Sequence, residues 1–292
     1  MADKSHTPER VYLDTNAFRY FGAAFEKATL PADLRERILI SPLSAFEVFA
    51  QLAEEDGDIV LRRLHAVRNW TNPQHSGLLP WPDDMLYRLW FGKMPVDDGF
   101  TKKMQDSFEV CLAEDSVVAL KAEAVKHKQV MDDFKAKAAL DFKNMLDDVK
   151  KERKERKGKK KKKPFDMTEW WFRGIANRLH ADPKSRKMPE IVAALSAYHE
   201  YEESKLQTAL NIRDYNPLSK TNRNDIVDAE QLVYLGDKTL CLLTCDRGFK
   251  KRVKKSEQVG RLITATPEEL MDAKNAEALL RRTLQGASNG KS

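Results

Sequence analysis

Short apolar runs that stop beside an acidic residue stand near both ends of this chain, and they constrain its fold more than any other feature. Asp14 follows the run at 11–13, and Asp246 comes just after the run at 239–244. Each run predicts a buried strand that ends in a polar turn. Two further apolar runs predict strands at 38–40 and 261–264. Strands separated by helical patterns predict an α/β fold with a central parallel sheet.

Two more acidic residues stand in helical patterns. Glu47 lies about one turn into a helix that is predicted to begin at Pro42, and Asp228 is expected to open an apolar helix. Glu47 has apolar neighbours, and a buried carboxylate needs a partner or a metal ion. In open α/β sheets, ligands bind beyond the carboxyl ends of the strands, where Asp14 and Asp246 are expected. Clustered carboxylates there would suit Mg²⁺ or Mn²⁺ rather than zinc.

The order of these residues resembles the pattern of the PIN-domain nucleases. That family has a strand ending in L-D-T-N, a glutamate on the second helix, an aspartate opening a later helix and a final T-x-D. The matching residues are Leu13-Asp14-Thr15-Asn16, Glu47, Asp228 and Thr244-Cys245-Asp246. The resemblance covers about 11–51 and 224–270 and does not extend to the middle of the chain. It implies a three-layer α/β/α PIN-like fold, in which the helical middle of this chain would be a large insertion.

The resemblance also implies a catalytic metal site and a division of the chain. The residues that would bind one or two Mg²⁺ or Mn²⁺ ions, directly or through water, are Asp14, Glu47, Asp228 and Asp246, with Asp225 as a fifth candidate. Asn16 and Thr244 would orient these carboxylates. The expected parts are a first nuclease segment at 8–53, a helical insertion at 54–215, a second nuclease segment at 216–285 and a disordered tail at 286–292.

Most of the positive charge is concentrated in one tract. The net charge is +6, but residues 150–163 hold eleven basic and two acidic residues, so the remainder is net negative. The tract predicts either a flexible nucleic-acid contact, through Lys159, Lys160 and Lys161, or a solubilising loop. A second basic cluster follows Asp246 and is the better candidate for holding a scissile strand. Its members are Arg247, Lys250, Lys251 and Arg252.

The middle of the chain is predicted to be mostly helical. Residues 58–70 show helical spacing, and residues 101–157 predict one or two long helices with an apolar stripe of mean step 3.6. The stripe predicts docking against a helix at 191–210 or against a second subunit or protein partner. An aromatic stretch at 69–95 is predicted to be irregular, and its rings would either pack as a small core or stack on unpaired bases.

Composition excludes several other classes of protein. The three cysteines cannot form a complete disulfide framework, and the six histidines are too scattered for a zinc site. No apolar stretch is long enough to span a bilayer, and the first residues have no signal-peptide pattern, so we expect no membrane contact and a cytoplasmic location. No glycine-rich phosphate loop or serine-esterase motif is present.

The sequence therefore predicts a metal-dependent endoribonuclease that hydrolyses RNA phosphodiester bonds, with RNA inferred from the family resemblance alone. Three alternatives stay open. They are a structure-specific DNA nuclease of the flap-cleaving type, the toxin of a toxin–antitoxin pair, and a non-catalytic scaffold that binds nucleic acid.

Overall fold

The sheet at the centre of the molecule is built from both ends of the chain. The structure, a computed structural model, describes residues 8–72, 77–96, 99–156, 166–184 and 187–285. Four strands form one parallel sheet in the order β2-β1-β3-β4. The strands are β1 (Arg10–Leu13), β2 (Ile38–Ile40), β3 (Leu240–Thr244) and β4 (Leu262–Thr264). The predicted α/β class and parallel sheet are confirmed, and the last strand begins one residue later than expected.

Helices make up most of the remaining described residues. Their bounds are α1 (Thr15–Ala24), α2 (Ala32–Arg35), α3 (Pro42–Leu52), α4 (Gly57–Trp70), α5 (Pro82–Phe91), α6 (Gly99–Ala113), α7 (Val117–Arg156), α8 (Met167–Arg178), α9 (Met188–Ala194), α10 (Ser196–Asn211), α11 (Lys220–Gln231), α12 (Arg247–Arg252), α13 (Pro267–Met271) and α14 (Ala273–Leu284). Two short 3₁₀ turns lie at Leu232–Gly236 and Val259–Arg261. No helix in the described part of the chain has the length and apolar character needed to cross a membrane.

The side chains of the central strand alternate between two buried cores, one on each face of the sheet. Val11 and Leu13 pack in one core with α1, α3 and α4, whereas Tyr12 packs in the other with α5, α8 and α10. This alternation follows from the two-residue period of a strand. Helices therefore cover both faces, which is compatible with an α/β/α arrangement.

The long helix α7 packs along the side of the molecule that carries the acidic residues. It contacts α3 and α11, and its apolar stripe continues onto α10. Phe142 and Val149 share a small core with Leu206 and Ala209 of α10. The predicted docking of the stripe on 191–210 is thus confirmed for its C-terminal half. Met131, nearer the N-terminus of α7, instead packs in the core beside the sheet.

Two local predictions were wrong. Asp228 does not open its helix, because α11 begins at Lys220 after the cap residue Ser219, whose side chain accepts a hydrogen bond from the Asn222 amide. The aromatic stretch is also not wholly irregular, since it contains α5, which starts with a proline in its first turn and ends at Gly92 in the left-handed conformation. Its largest rings are buried, so they form core rather than an open stacking surface: Trp70, Trp81 and Trp90.

Candidate functional site

Asp14 stands where β1 passes into α1, and the local fold holds its carboxylate with two hydrogen bonds. As the cap of α1 it accepts a bond from the Ala17 amide at 2.7 Å, and it accepts another from Thr244 Oγ1 at 2.5 Å. Its side chain is only 5% exposed. The pKa of Asp14 is raised to about 6, chiefly by burial and also by the charges of Asp246 and Glu47, although the two hydrogen bonds lower it.

Asp246 stands in the equivalent position after β3. It caps α12 by accepting a hydrogen bond from the Gly248 amide at 2.6 Å, while its own amide donates to Thr244 Oγ1 at 2.9 Å. A Cβ at position 248 would lie 2.8 Å from Asp246 Oδ1, so any other residue there would displace the Asp246 carboxylate. The Thr244 hydroxyl accepts from Asp246 and donates to Asp14, and it thereby fixes the spacing of the two strand-end aspartates.

Glu47 projects from α3, and both of its carboxylate oxygens have partners. Oε2 accepts a hydrogen bond from Thr15 Oγ1 at 2.5 Å, and Oε1 lies 2.5 Å from Lys135 Nζ of α7. The exposed fractions of the Lys135 and Glu47 side chains are 19% and 16%. A buried carboxylate with apolar neighbours needs a partner, and Lys135 of α7 is the charged partner of Glu47.

Asp228 lies in the second half of α11. The Tyr201 hydroxyl donates a long hydrogen bond of 3.5 Å to Asp228 Oδ2. Burial raises the pKa of Asp228 to about 8, and the charges of Glu47, Asp14, Asp225 and Asp246 add to the effect. The charges of Glu47 and Asp246 act on both Asp14 and Asp228, so these four carboxylates share one electrostatic environment at the carboxyl edge of the sheet.

A buried hydrogen bond sets the relation of α3 to α11. Gln231 Nε2 donates to Ser44 Oγ at 2.8 Å, and Ser44 donates to the Leu13 carbonyl at 3.1 Å. Glu47 lies three residues after Ser44, and Asp228 lies three residues before Gln231. Residues three apart share a helix face, so both acids project from the faces that this bond joins.

Asp225, the fifth candidate ligand, is paired with a cation. Its Oδ2 lies 3.2 Å from the guanidinium of Arg252, which also stacks over the Tyr201 ring with 4.8 Å to the centroid. Arg252 is therefore held within the molecule rather than extended towards solvent.

Asn16, the predicted orienting residue, is exposed. Its Oδ1 accepts a long hydrogen bond of 3.4 Å from Arg19. Thr15, its neighbour in the same motif, makes the contact to an acid.

The remaining candidates for nucleic-acid contact differ in position. Arg247, Lys250 and Lys251 are exposed on α12, directly after Asp246. Lys159, Lys160 and Lys161 lie outside the described residues, as does the tail predicted at 286–292. α12 thus presents exposed cations directly after Asp246.

The carboxylate oxygens of these acids suit a hard divalent cation, but the acids are not arranged to give one ion three direct protein ligands. Within the described ranges, no three acidic, histidine or cysteine side chains lie close enough together to ligate one ion. Mg²⁺ retains several waters and commonly takes only one or two carboxylates from a protein. Four carboxylates in one environment, with raised pKa values for Asp14 and Asp228, fit such a partly water-mediated site.

The sequence pattern alone did not identify two residues of the site. Thr15 lies within the L-D-T-N motif and could have been found there, because a hydroxyl one residue after the aspartate starts the helix that faces Glu47. Lys135 lies 88 residues from Glu47 in the chain, and no local pattern marks it. No protein-family model, curated protein or solved structure matches this chain.

Proposed function

We propose that this chain is a metal-dependent nuclease of PIN-like fold that cleaves RNA internally. One observation carries the proposal: burial raises the pKa of Asp228 to about 8, together with the charges of four other carboxylates, Glu47, Asp14, Asp225 and Asp246. The carboxyl edge of the sheet is where open α/β sheets bind ligands. Acids that repel one another cost stability unless a cation compensates them, so their convergence favours a metal site over a structural role.

The residues that would hold the ion are Asp14, Glu47, Asp228 and Asp246. When bound, a divalent cation supplies Lewis-acid activation of the phosphoryl group and of the attacking water. The chain itself contributes preorganisation. Thr244 and the Ala17 amide fix the Asp14 carboxylate, and the Gly248 amide fixes Asp246, so neither side chain has to reorient for the reaction.

The substrate strand would lie along α12. Lys250 and Lys251 are exposed there, about one turn after the cap residue Asp246, and their ammonium groups suit phosphate oxygens. RNA is proposed over DNA because the order of motifs resembles a ribonuclease family. Arg252 would act indirectly, since its salt bridge to Asp225 and its stacking on Tyr201 hold α12 against α11.

The proposal is tested by incubating the purified protein with labelled RNA, single-stranded DNA and flap DNA, in Mn²⁺ or in chelator. We expect Mn²⁺-dependent internal cleavage of RNA. Asp14→Asn and, separately, Asp246→Asn should lower the rate by about 100-fold or more, because a bound ion contributes several kcal/mol to the transition state. Asp58→Asn, an exposed aspartate of α4, is the matched control and should retain full activity.

Each other outcome identifies an alternative. Cleavage of flap DNA alone would indicate a structure-specific DNA nuclease. Binding of RNA without cleavage in Mn²⁺ or Mg²⁺ would indicate a scaffold. Full activity of either aspartate variant, or loss of its circular-dichroism signal, would remove that residue from the catalytic set.

A further inference from the structure

Lys135 places its ammonium group against one member of the acidic set. Its Nζ lies 2.5 Å from Glu47 Oε1, and both side chains are less than one-fifth exposed. A second Lys–Glu pair, Lys128 with Glu54, also links α7 to the end of α3, but its side chains are 46% and 72% exposed. Exposed pairs contribute little because water screens them, whereas a pair at partial burial interacts more strongly.

The position of Lys135 is fixed by packing. Met131 and Ala139, one turn before and one turn after it on α7, are 3% and 0% exposed. Met131 packs in the core to which α3 also contributes, so this face of α7 directs Lys135 towards Glu47. A rigid helix inside the fold, rather than a loop, presents the ammonium group to the acids.

We propose that Lys135 is a built-in counter-ion of the acidic site, which a divalent ion must displace from Glu47, so that the helical insertion sets the metal affinity of the nuclease. The inference rests on the proposed function, because it assigns Glu47 to the metal. An ammonium ion in contact with Glu47 neutralises one of the four carboxylates and repels a divalent cation at the same edge. Even at the dielectric constant of water, a unit charge about 5 Å from a divalent ion changes its affinity by about tenfold.

The test measures Mn²⁺ binding by isothermal titration calorimetry at low salt, without any substrate. Lys135→Met removes the charge and keeps a long side chain. Lys128→Met makes the same substitution two turns earlier on the same helix and is the matched control. We expect Lys135→Met to bind Mn²⁺ about tenfold more tightly than the wild type, and Lys128→Met to bind as the wild type does.

Two further variants show whether Lys135 acts through Glu47. Lys135→Arg retains the charge and should keep the wild-type affinity. In a Glu47→Gln background, Lys135→Met should change the affinity by less than it does in the wild type, because the shared carboxylate is gone. Circular dichroism of each variant checks the fold, and Lys135→Gln replaces Lys135→Met if the apolar side chain prevents folding.

The failures of the two proposals are distinguishable. Equal or weaker Mn²⁺ binding by a folded Lys135→Met protein, with binding by the wild type that is lost in Asp14→Asn, would overturn the counter-ion role and leave the metal site intact. Binding of Mn²⁺ that Asp14→Asn leaves unchanged, or no binding by any variant, would overturn the metal site itself and with it the role of Lys135.

Discussion

Gln231 donates a hydrogen bond to Ser44 across the interface of α11 and α3, at 2.8 Å and out of contact with water. Ser44 in turn donates a hydrogen bond to the carbonyl of Leu13, the last residue of β1. One short chain of bonds therefore ties together the three elements that carry Asp228, Glu47 and Asp14. Buried polar groups cost free energy when they lose a partner, so this connection also determines how precisely the acids are held.

Replacing Gln231 should weaken both stability and metal binding. Gln231→Leu removes the bond between α11 and α3, and we expect it to lower the free energy of unfolding by about 1–3 kcal/mol. The rise in melting temperature that Mn²⁺ produces should shrink, because the metal stabilises only the correctly arranged native state. Urea unfolding and thermal melts measure the two effects. Gln129→Leu, at an exposed position of α7, is the control; an unaltered metal response in Gln231→Leu would show that the bond does not position the acids.

A partly buried ion pair joins α8 to α11. Both guanidinium NH2 nitrogens of Arg178 contact the Glu230 carboxylate, at 2.8 and 3.0 Å, and Tyr198 donates to the same carboxylate at 2.9 Å. Arg178→Met leaves the Glu230 charge, which is 8% exposed, without its cation, and should lower the free energy of unfolding by about 3–5 kcal/mol.

The neighbouring pair on α8 provides the comparison. Arg173 and Glu169 are one turn apart and are 61% and 49% exposed, so Arg173→Met should change the free energy of unfolding by less than about 1 kcal/mol. Urea denaturation measures the free energy of unfolding of both variants. Equal costs for the two substitutions would mean that α8 is not held to α11 by this pair.

His127 should make the protein less stable in acid. Burial beside the rings of Phe46 and Phe49 lowers the pKa of His127 to about 4. The unfolded chain, in which the pKa is near 6.5, binds the proton first as the pH falls. Stability from this residue is therefore present above about pH 6.5 and is lost between about pH 6.5 and 4, up to about 3 kcal/mol.

His127→Phe keeps a ring and removes the titration. We expect its free energy of unfolding, measured in urea at several pH values, to fall less between pH 6.5 and 4 than that of the wild type. His65→Phe, at an exposed position of α4, should follow the wild-type curve. Parallel curves for His127→Phe and the wild type would assign the acid sensitivity to other groups.

The lysines of α12 should supply electrostatic binding of RNA. Lys250→Ala with Lys251→Ala should weaken the binding of single-stranded RNA and make the slope of log K against log salt shallower by about 1.4, since each lost phosphate contact removes about 0.7. Fluorescence anisotropy in metal-free buffer measures this slope. The control replaces Lys102 and Lys103, two adjacent exposed lysines of α6, and the same slope for both double variants would exclude α12 from the RNA path.

The sequence was sufficient to predict the features that depend on neighbouring residues. The strand at 38–40 and the helix that starts at Pro42 follow from a short apolar run and a proline. The start of α11 was missed because its first turns are polar and only the cap at Ser219 marks it. The partners of Glu47 and Asp225 could not be predicted, since Lys135 and Arg252 reach them only through the packing of distant helices.

The order of the sheet has a consequence for synthesis on the ribosome. β1 pairs early with β2 on one side, but β3, its partner on the other side, begins 230 residues after the start of β1, so that side has no neighbouring strand until those residues have been made. At about 5–20 residues per second, translation separates the two strands by about 10–50 s. Asp14 and Glu47 are made early, but Asp228 and Asp246 join them only at the end. A nascent chain therefore has half of the acidic set and no assembled site, and any activity that needs all four carboxylates begins only once translation has passed β3.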